Sequence, residues 1–147
     1  MNPNYYFTQI QYLSPAYEEA VQLRYSVLRK PLKLEFSTQQ LEEEYDQFHF
    51  GVYDQNHLLW ACLIFKIHDS QTLQMRQVAV DEFAQGQGIG TFMVHESEKW
   101  AKIMGFEKII LHARDIAKPF YEKLNYLADG PPFVELNIHH YNMFKNL

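Results

Sequence analysis

The residues best placed to do chemistry lie in Val78–Thr91, VAVDEFAQGQGIGT. Gln74 to Val80 is rich in apolar and β-branched residues and reads as a strand, and Asp81 and Glu82 mark a turn. The run Gln85-Gly86-Gln87-Gly88-Ile89-Gly90-Thr91 then opens a helix. Glycine has no Cβ, so its backbone can approach a ligand and take positive φ. The first N–H groups of a helix have no internal partner, and the macrodipole places partial positive charge there. The chemistry on offer is anion binding, with phosphate the natural guest. A nucleoside-triphosphate loop needs Gly-Lys-Ser/Thr after its glycines, and no lysine follows Gly86 or Gly90 here. A dinucleotide loop needs Gly-x-Gly-x-x-Gly in the first βαβ unit, whereas here the third glycine comes one residue early and past mid-chain.

Other chemistries are poorly served. The chain has one cysteine, Cys62, flanked by Trp60, Leu63 and Ile64, which reads as a core thiol. A lone cysteine excludes an intramolecular disulfide and fits a reducing cytosol. His139 and His140 are adjacent, so on a strand they point to opposite faces and cannot share a metal. No HExxH, CxxC or GxSxG occurs. The net charge is −5, from 18 acids against 13 bases, which argues against general nucleic-acid binding. It is mildly compatible with a cationic amine substrate. No apolar run reaches membrane-span length, and the start MNPNYYFTQIQYL has neither a basic segment nor a long apolar one, so no leader is read there.

The elements that must hold the glycine loop follow from periodicity. At 147 residues the chain reads as one domain, 1–147, with a proper core. Tyr5 to Leu13 alternates as a first strand. Ser14 is a good N-cap with Pro15 behind it, and the helix is expected to run to Arg29 and end at Pro31. Its apolar stripe carries Arg24, which is read either as paired to a carboxylate or as lining an acceptor cleft. Thr38 is expected to cap a short helix, Gln39 to Tyr45, with Glu42, Glu43 and Glu44. Strands follow at Phe48–Tyr53, Leu58–Ile67 and Gln71–Val80, with a hairpin turn at Asp54-Gln55-Asn56-His57. The helix from Gly88 to Met104 places Ile89, Phe92, Met93, Trp100, Ile103 and Met104 in one stripe, with Glu96 near its middle. A carboxylate there must be paired, hydrogen-bonded or protonated, and pairing with an arginine is the expected case. Gly105 ends the helix. Glu107–Ala113 is a strand parallel to its predecessor, Asp115–Lys123 a helix with Pro119 in its first turn, and Phe133–Phe144 a final strand or hairpin arm.

Two motifs together resemble a known family. Gln85-Gly86-Gln87-Gly88-Ile89-Gly90 is similar to the Gln/Arg-x-x-Gly-x-Gly/Ala pyrophosphate loop of GNAT N-acetyltransferases. Ala117-Lys118-Pro119-Phe120-Tyr121-Glu122-Lys123-Leu124-Asn125-Tyr126 looks like that family's Ala-x-x-Phe-Tyr-x-x-x-Gly-Phe segment, in the right order and at the right distance. The tail Phe133–Met143 resembles the Phe-x-Glu-x-Gly-Ile-Pro-His-x-x-Met end of small stand-alone members, with His140 in the histidine position and Asn137 and His139 replacing Gly and Pro. Arg114 stands where the family often has a cofactor-contacting Asn. Asn125 replaces a glycine, and Asn also takes the left-handed conformation.

The resemblance implies a mixed α/β sheet, mostly antiparallel, with a splayed parallel strand pair flanked by helices. It implies acetyl-CoA as cosubstrate, no metal, and transfer to a primary amine by direct attack in a ternary complex. It places the pantetheine arm along Val78, Ala79 and Val80, with the Val80 N–H aimed at the thioester carbonyl. The pyrophosphate falls on Gln85, Gly86, Gln87, Gly88, Ile89, Gly90 and Thr91, and Arg114 lies close to the cofactor. Tyr121 matches the general acid toward sulfur. The base is His140 first, with Glu35, Glu44, Glu96, Glu135 or His112 as alternatives. Arg24 and Glu35 are the candidate acceptor contacts. The expected acceptor is a small-molecule amine, with a protein amine as the alternative. A non-catalytic acyl-CoA sensor or a longer acyl donor are the other readings. The setting is cytoplasmic, without nucleic acid or membrane, and the aromatic-rich edges would suit a homodimer.

Overall fold

A computed structural model describes residues 4–147. Residues 1–3, the start of the segment read for a leader, lie outside the described residues. Strand β1 (Tyr5–Ile10) stops short of Leu13 because the chain turns there, with Leu13 at φ 63. Ser14 then accepts the Tyr17 N–H at 3.2 Å and Pro15 opens helix α1 (Pro15–Arg24). The expected single helix to Arg29 is corrected. After Arg24 the backbone widens into a π turn, Tyr25–Arg29, followed by a 3₁₀ turn, Lys30–Leu32. Pro31 has no N–H to continue an α-helix, and the bonds on either side reach back five residues: Lys30 N–H to Tyr25 O, and Leu34 N–H to Arg29 O at 2.9 Å. Such π turns re-aim the side chains beyond them. Helix α2 (Thr38–Glu42) is capped by Ser37, not Thr38: Ser37 Oγ accepts from Gln40 N–H, and the Gln40 side chain accepts from Ser37 N–H. That reciprocal box is legible as Ser-x-x-Gln.

Strands β2 (Phe48–Asp54), β3 (Leu59–Asp69) and β4 (Thr72–Val80) form an antiparallel meander with β1. Helix α3 (Ile89–Ile103) crosses back, so β5 (Lys108–Arg114) lies parallel to β4. Helix α4 (Lys118–Lys123) leads to β6 (Leu127–Ala128), β7 (Phe133–Glu135) and β8 (Ile138–Asn146). The strand order is β1-β2-β3-β4-β5-β8-β6, with β7 paired to β8. Of the two readings of Phe133–Phe144, a strand or a hairpin arm, the segment takes the hairpin. Its two turn residues, Leu136 and Asn137, have φ 53 and 61, the double positive φ of a two-residue hairpin loop.

The sheet has a core on each face. Ile10, Tyr17, Ala20, Leu23, Cys62 and Ala79 close one face under α1. Phe50, Leu63, Phe65, Met75, Met93, Val94, Ala101 and Tyr126 belong to the larger core on the other. The stripe expected on α3 is corrected in part. Ser97 and Ala101 are fully buried, whereas Ile103 is 83% exposed. Small residues let the helix approach the sheet, and a count of hydrophobes overlooks them. Glu96 is consequently only half-buried and pairs with Lys99 at 3.0 Å, not with an arginine. The acid on the inner side is Glu98, which accepts from Tyr126 Oη at 2.8 Å and Lys145 Nζ at 2.9 Å.

Candidate active site

The parallel pairing of β4 and β5 ends early. It runs from Thr72↔Lys108 to Met75↔Leu111 and goes no further. Beyond Met75 the strands part, and the cause lies in β4. Gln77 and Val78 together oppose Leu63, a β-bulge with Gln77 at φ 53. A bulge bends its strand and raises local twist, so β4 leans away from β5. Arg24 Nε donates to Gln77 Oε1 at 3.3 Å and fixes the bulged side chain. At the end of β4 the Asp81 N–H bonds to Trp60 O at 2.8 Å. In antiparallel alternation the N–H and C=O of Val80 then face away from β3 into the splay. Gln85 Nε2, donating to Val80 O at 3.0 Å, reaches it from that side.

The glycine loop sits at the mouth of this splay. Gly86 and Gly88 have φ 80 and 82, and Gly88 caps α3 without any side-chain hydrogen bond. The first amides of a 15-residue helix are therefore left to a ligand or solvent. Gly90 has a packing reason to be glycine. A Cβ there would lie 3.3 Å from Phe120 Cζ and 3.5 Å from Val80 Cγ2. Its absence lets α3 seat on α4 beside Tyr121.

Tyr121 is 7% exposed, edge-on to Phe120 and Tyr126. Its hydroxyl bonds to no group among the described residues, and Tyr121 is one of the residues lining a cleft of about 420 Å³. Burial pushes the Tyr121 phenol well above its ordinary value. The cleft opens between β4 and β5 and is closed by the π turn and the β7–β8 hairpin. Val78, His112, Arg114, Glu135, Leu136 and His140 line it. His140 is 6% exposed. Its Nδ1 lies 2.8 Å from Ile138 O, so Nδ1 is the donor and Nε2 carries the lone pair of the neutral ring. Glu135 Oε2 stands 3.7 Å from His140 Nε2 and 3.8 Å from His112 Nδ1. His139 points the other way and is exposed, as alternation requires.

Several expected residues lie elsewhere. Arg24 does not line the cleft: it is 1% exposed and its two terminal nitrogens bind Glu44 at 2.8 and 2.6 Å. Glu44, a candidate base, is spent on that pair and on Tyr17 Oη at 2.9 Å. Glu35 is exposed on the connector and borders none of the described cavities. Glu96 borders a separate recess beside the α3 N-terminus. Cys62 is buried, its thiol pushed up to about 12 by desolvation. Arg29 and Arg76 line the cleft and were missed. Arg76 sits two residues before Val78 on a strand already read as cofactor-facing, which is a usable signal. Arg29 enters through the π turn, which helical periodicity does not reveal.

The acetyltransferase (GNAT) family profile matches residues 11–126. A curated relative, "Probable N-acetyltransferase 14" of Xenopus tropicalis, is 29% identical over 68 residues, 46% of this chain and 33% of that protein. The match thus spans about a third of that relative's length. Among solved structures, a Lactobacillus plantarum protein provisionally named as an N-acetyltransferase aligns with TM-score 0.86 at 22% identity, covering 97% of this chain and 98% of that one. A GNAT family acetyltransferase from Elizabethkingia anophelis with acetyl-CoA bound aligns with TM-score 0.77 at 16% identity, covering 99% and 100%. These likenesses establish the fold: a mixed, mostly antiparallel sheet with one parallel pair. With most of its length matched by the family profile, the chain belongs to the GNAT acetyltransferase family.

Proposed function

We propose that this single-domain chain, 1–147, transfers an acetyl group from acetyl-CoA to the primary amine of a small molecule, in a cytoplasmic setting. The observation that carries this reading is continuity. Val78 lines the Tyr121–His140 cleft beyond the Met75↔Leu111 pairing, and two residues on, Val80 accepts from Gln85 and lies against Gly90, at the uncapped start of α3. The amides of Gly86–Thr91 hold the pyrophosphate, with Gln85 and Gln87 bracing the loop through Val80 O and Phe83 O. The pantetheine arm adds along Val78, Ala79 and Val80 as an extra strand, and the Val80 N–H polarises the thioester carbonyl.

The amine nitrogen attacks the carbonyl carbon as the C–S bond breaks. His140 Nε2 takes the ammonium proton, with Glu135 beside it to stabilise the imidazolium. Tyr121 faces the departing sulfur. An ordinary phenol titrates at about 10 and a thiol at about 8.5. Burial widens that gap, so Tyr121 acts chiefly as a hydrogen-bond donor to the developing thiolate and releases its proton late. The products are the acetylated amine and CoA thiol.

The test is free-thiol release over an amine panel, with acetyl-CoA binding followed by calorimetry. Tyr121→Phe is expected to lower kcat about 100-fold or more while leaving acetyl-CoA affinity within a factor of about three. Equal turnover by wild type and Tyr121→Phe would remove Tyr121 from the mechanism. Failure to bind any acyl-CoA would sink the whole reading.

A further inference from the structure

Arg29, Arg76 and Arg114 all line the cleft that holds Tyr121 and His140. None is among the ion pairs of the described residues. Arg29 lies over the Phe36 ring at 4.5 Å. Arg76 Nη1 donates to the neutral Gln47 Oε1 at 2.8 Å. Arg114 Nε is buried and bonds to nothing among the described residues. The cleft wall has one carboxylate, Glu135, already beside two histidines. Glu43, Glu44 and Asp46 border a neighbouring recess on the far side of Arg29 and Arg76, and Glu44 is paired with Arg24. A chain of net charge −5 therefore keeps three guanidinium groups around its reaction cleft without an ion-pair partner among the described residues.

Such an arrangement has a cost. Buried or half-buried cations are ordinarily paired, and these repel one another. Arg29 is held below its ordinary value by desolvation first, then by Arg24 and Arg76, with the more weakly acting Glu135 and Glu44 opposing them. The planar donor fork of arginine matches a carboxylate or phosphate in two-point contact. The cleft is compact, about 420 Å³, so an acceptor the size of an amino acid or a small phosphorylated amine would fill it. The same charges disfavour a polycationic acceptor.

We infer that the acceptor is a compact amine that also carries an anionic group, with the anion on Arg29, Arg76 and Arg114 and the amine at His140 and Glu135. This rests on the acetyl-transfer reading above. It also gives Arg114 work that an asparagine could not do.

The experiment compares matched acceptors in thiol release with acetyl-CoA. One arm sets amino acids and ω-amino acids against their carboxamides. A second sets phosphorylated amines, phosphoethanolamine and glucosamine 6-phosphate, against their unphosphorylated parents. A third uses spermidine. The anionic member of at least one pair should be preferred roughly 100-fold in kcat/KM, since a site built for a polar group rejects the analogue that lacks it. The arm that responds identifies carboxylate or phosphate. Arg76→Gln and Arg29→Gln should each raise KM for that acceptor about tenfold or more, with its uncharged partner and the acetyl-CoA Kd unchanged. Arg76→Lys, which keeps the charge, should recover part of the loss and guards against a folding defect. Acetyl-CoA binding with no anionic preference in any pair would overturn this inference alone. Absent acetyl-CoA binding would overturn the acetyl-transfer reading and this inference with it.

Discussion

Arg24 carries a charge at 1% exposure, and Glu44 meets both terminal nitrogens while Gln77 accepts from Nε and the Phe36 ring lies 4.7 Å from Cζ. Tyr17 Oη adds a third bond to Glu44, and burial with the nearby Glu44 charge pushes the Tyr17 phenol up, so it remains a donor. Burial holds His49 below its ordinary value, and its Nε2–H donates to Glu44 O at 3.0 Å. The cluster joins α1, the turn after α2, and the Gln77 bulge. Arg24 is therefore a positioning residue for the splay, not an acceptor contact. Glu44→Gln leaves a buried guanidinium without its counter-charge, which typically costs ~3–5 kcal/mol. Thermal unfolding should fall by on the order of 10 °C. A drop within about 2 °C would mean that the pair adds nothing a neutral amide cannot supply. The cost is in breaking the pair: a well-packed apolar replacement of both partners is the case in which little stability is lost.

At the scale of elements, the β7–β8 hairpin stores strain where it meets the cleft. Leu136 sits at φ 53 in a turn that favours Asn-Gly, and its side chain lines the cavity. A branched side chain in the left-handed region costs ~1–2 kcal/mol, whereas Asn is tolerated there. Leu136→Asn should raise stability by about 1 kcal/mol and, by opening the apolar wall beside Glu135, raise the acceptor KM. Denaturant unfolding and thiol-release kinetics on one preparation check both. A stability gain with unchanged KM would assign Leu136 to no function. This strain was not legible in Phe133–Phe144, which reads as a final strand or hairpin arm with no Asn-Gly or Gly-Gly pair to mark its turn. By contrast Ser14-Pro15 and Gln85–Gly90 were legible, because capping and glycine chemistry are local. Asn125 likewise has φ 71, as a residue replacing glycine requires. What periodicity missed was set by tertiary contact. Ser97 and Ala101 are buried by helix–sheet approach, and the π turn that delivers Arg29 depends on Pro31 meeting a packed α1. Glu44 follows two further acids in sequence, and its burial shows only once Arg24 is placed opposite it.

For the whole molecule, the splay divides one sheet into two arms. β1 to β4 form one, β5 to β8 the other, and the strands between them pair only from Thr72↔Lys108 to Met75↔Leu111. Beyond that point the Val80 backbone groups face a gap where a sheet would place a partner strand. A ligand that adds as a strand there, with its pyrophosphate on α3, bridges both arms. It binds the folded state and not the unfolded chain, so it must stabilise by mass action. At about 100 times its Kd, acetyl-CoA should contribute ~2.7 kcal/mol, or roughly 5–10 °C in Tm. CoA itself should do nearly as much, because pyrophosphate and pantetheine supply the bridge and the acetyl group does not. Amide hydrogen exchange gives the location. Val78–Val80 and the first turn of α3 should slow on binding, whereas the β1–β2 edge should not. A Tm rise with protection confined to Gly86–Thr91 would place the cofactor's anion correctly and refute its arm as an added strand. Gly88→Ala separates the two contributions. Gly88 has φ 82 with no atom within 4 Å of its added Cβ, so the change strains backbone alone. It should weaken binding through the helix terminus and leave the strand-like contacts, and their protection at saturating CoA, in place.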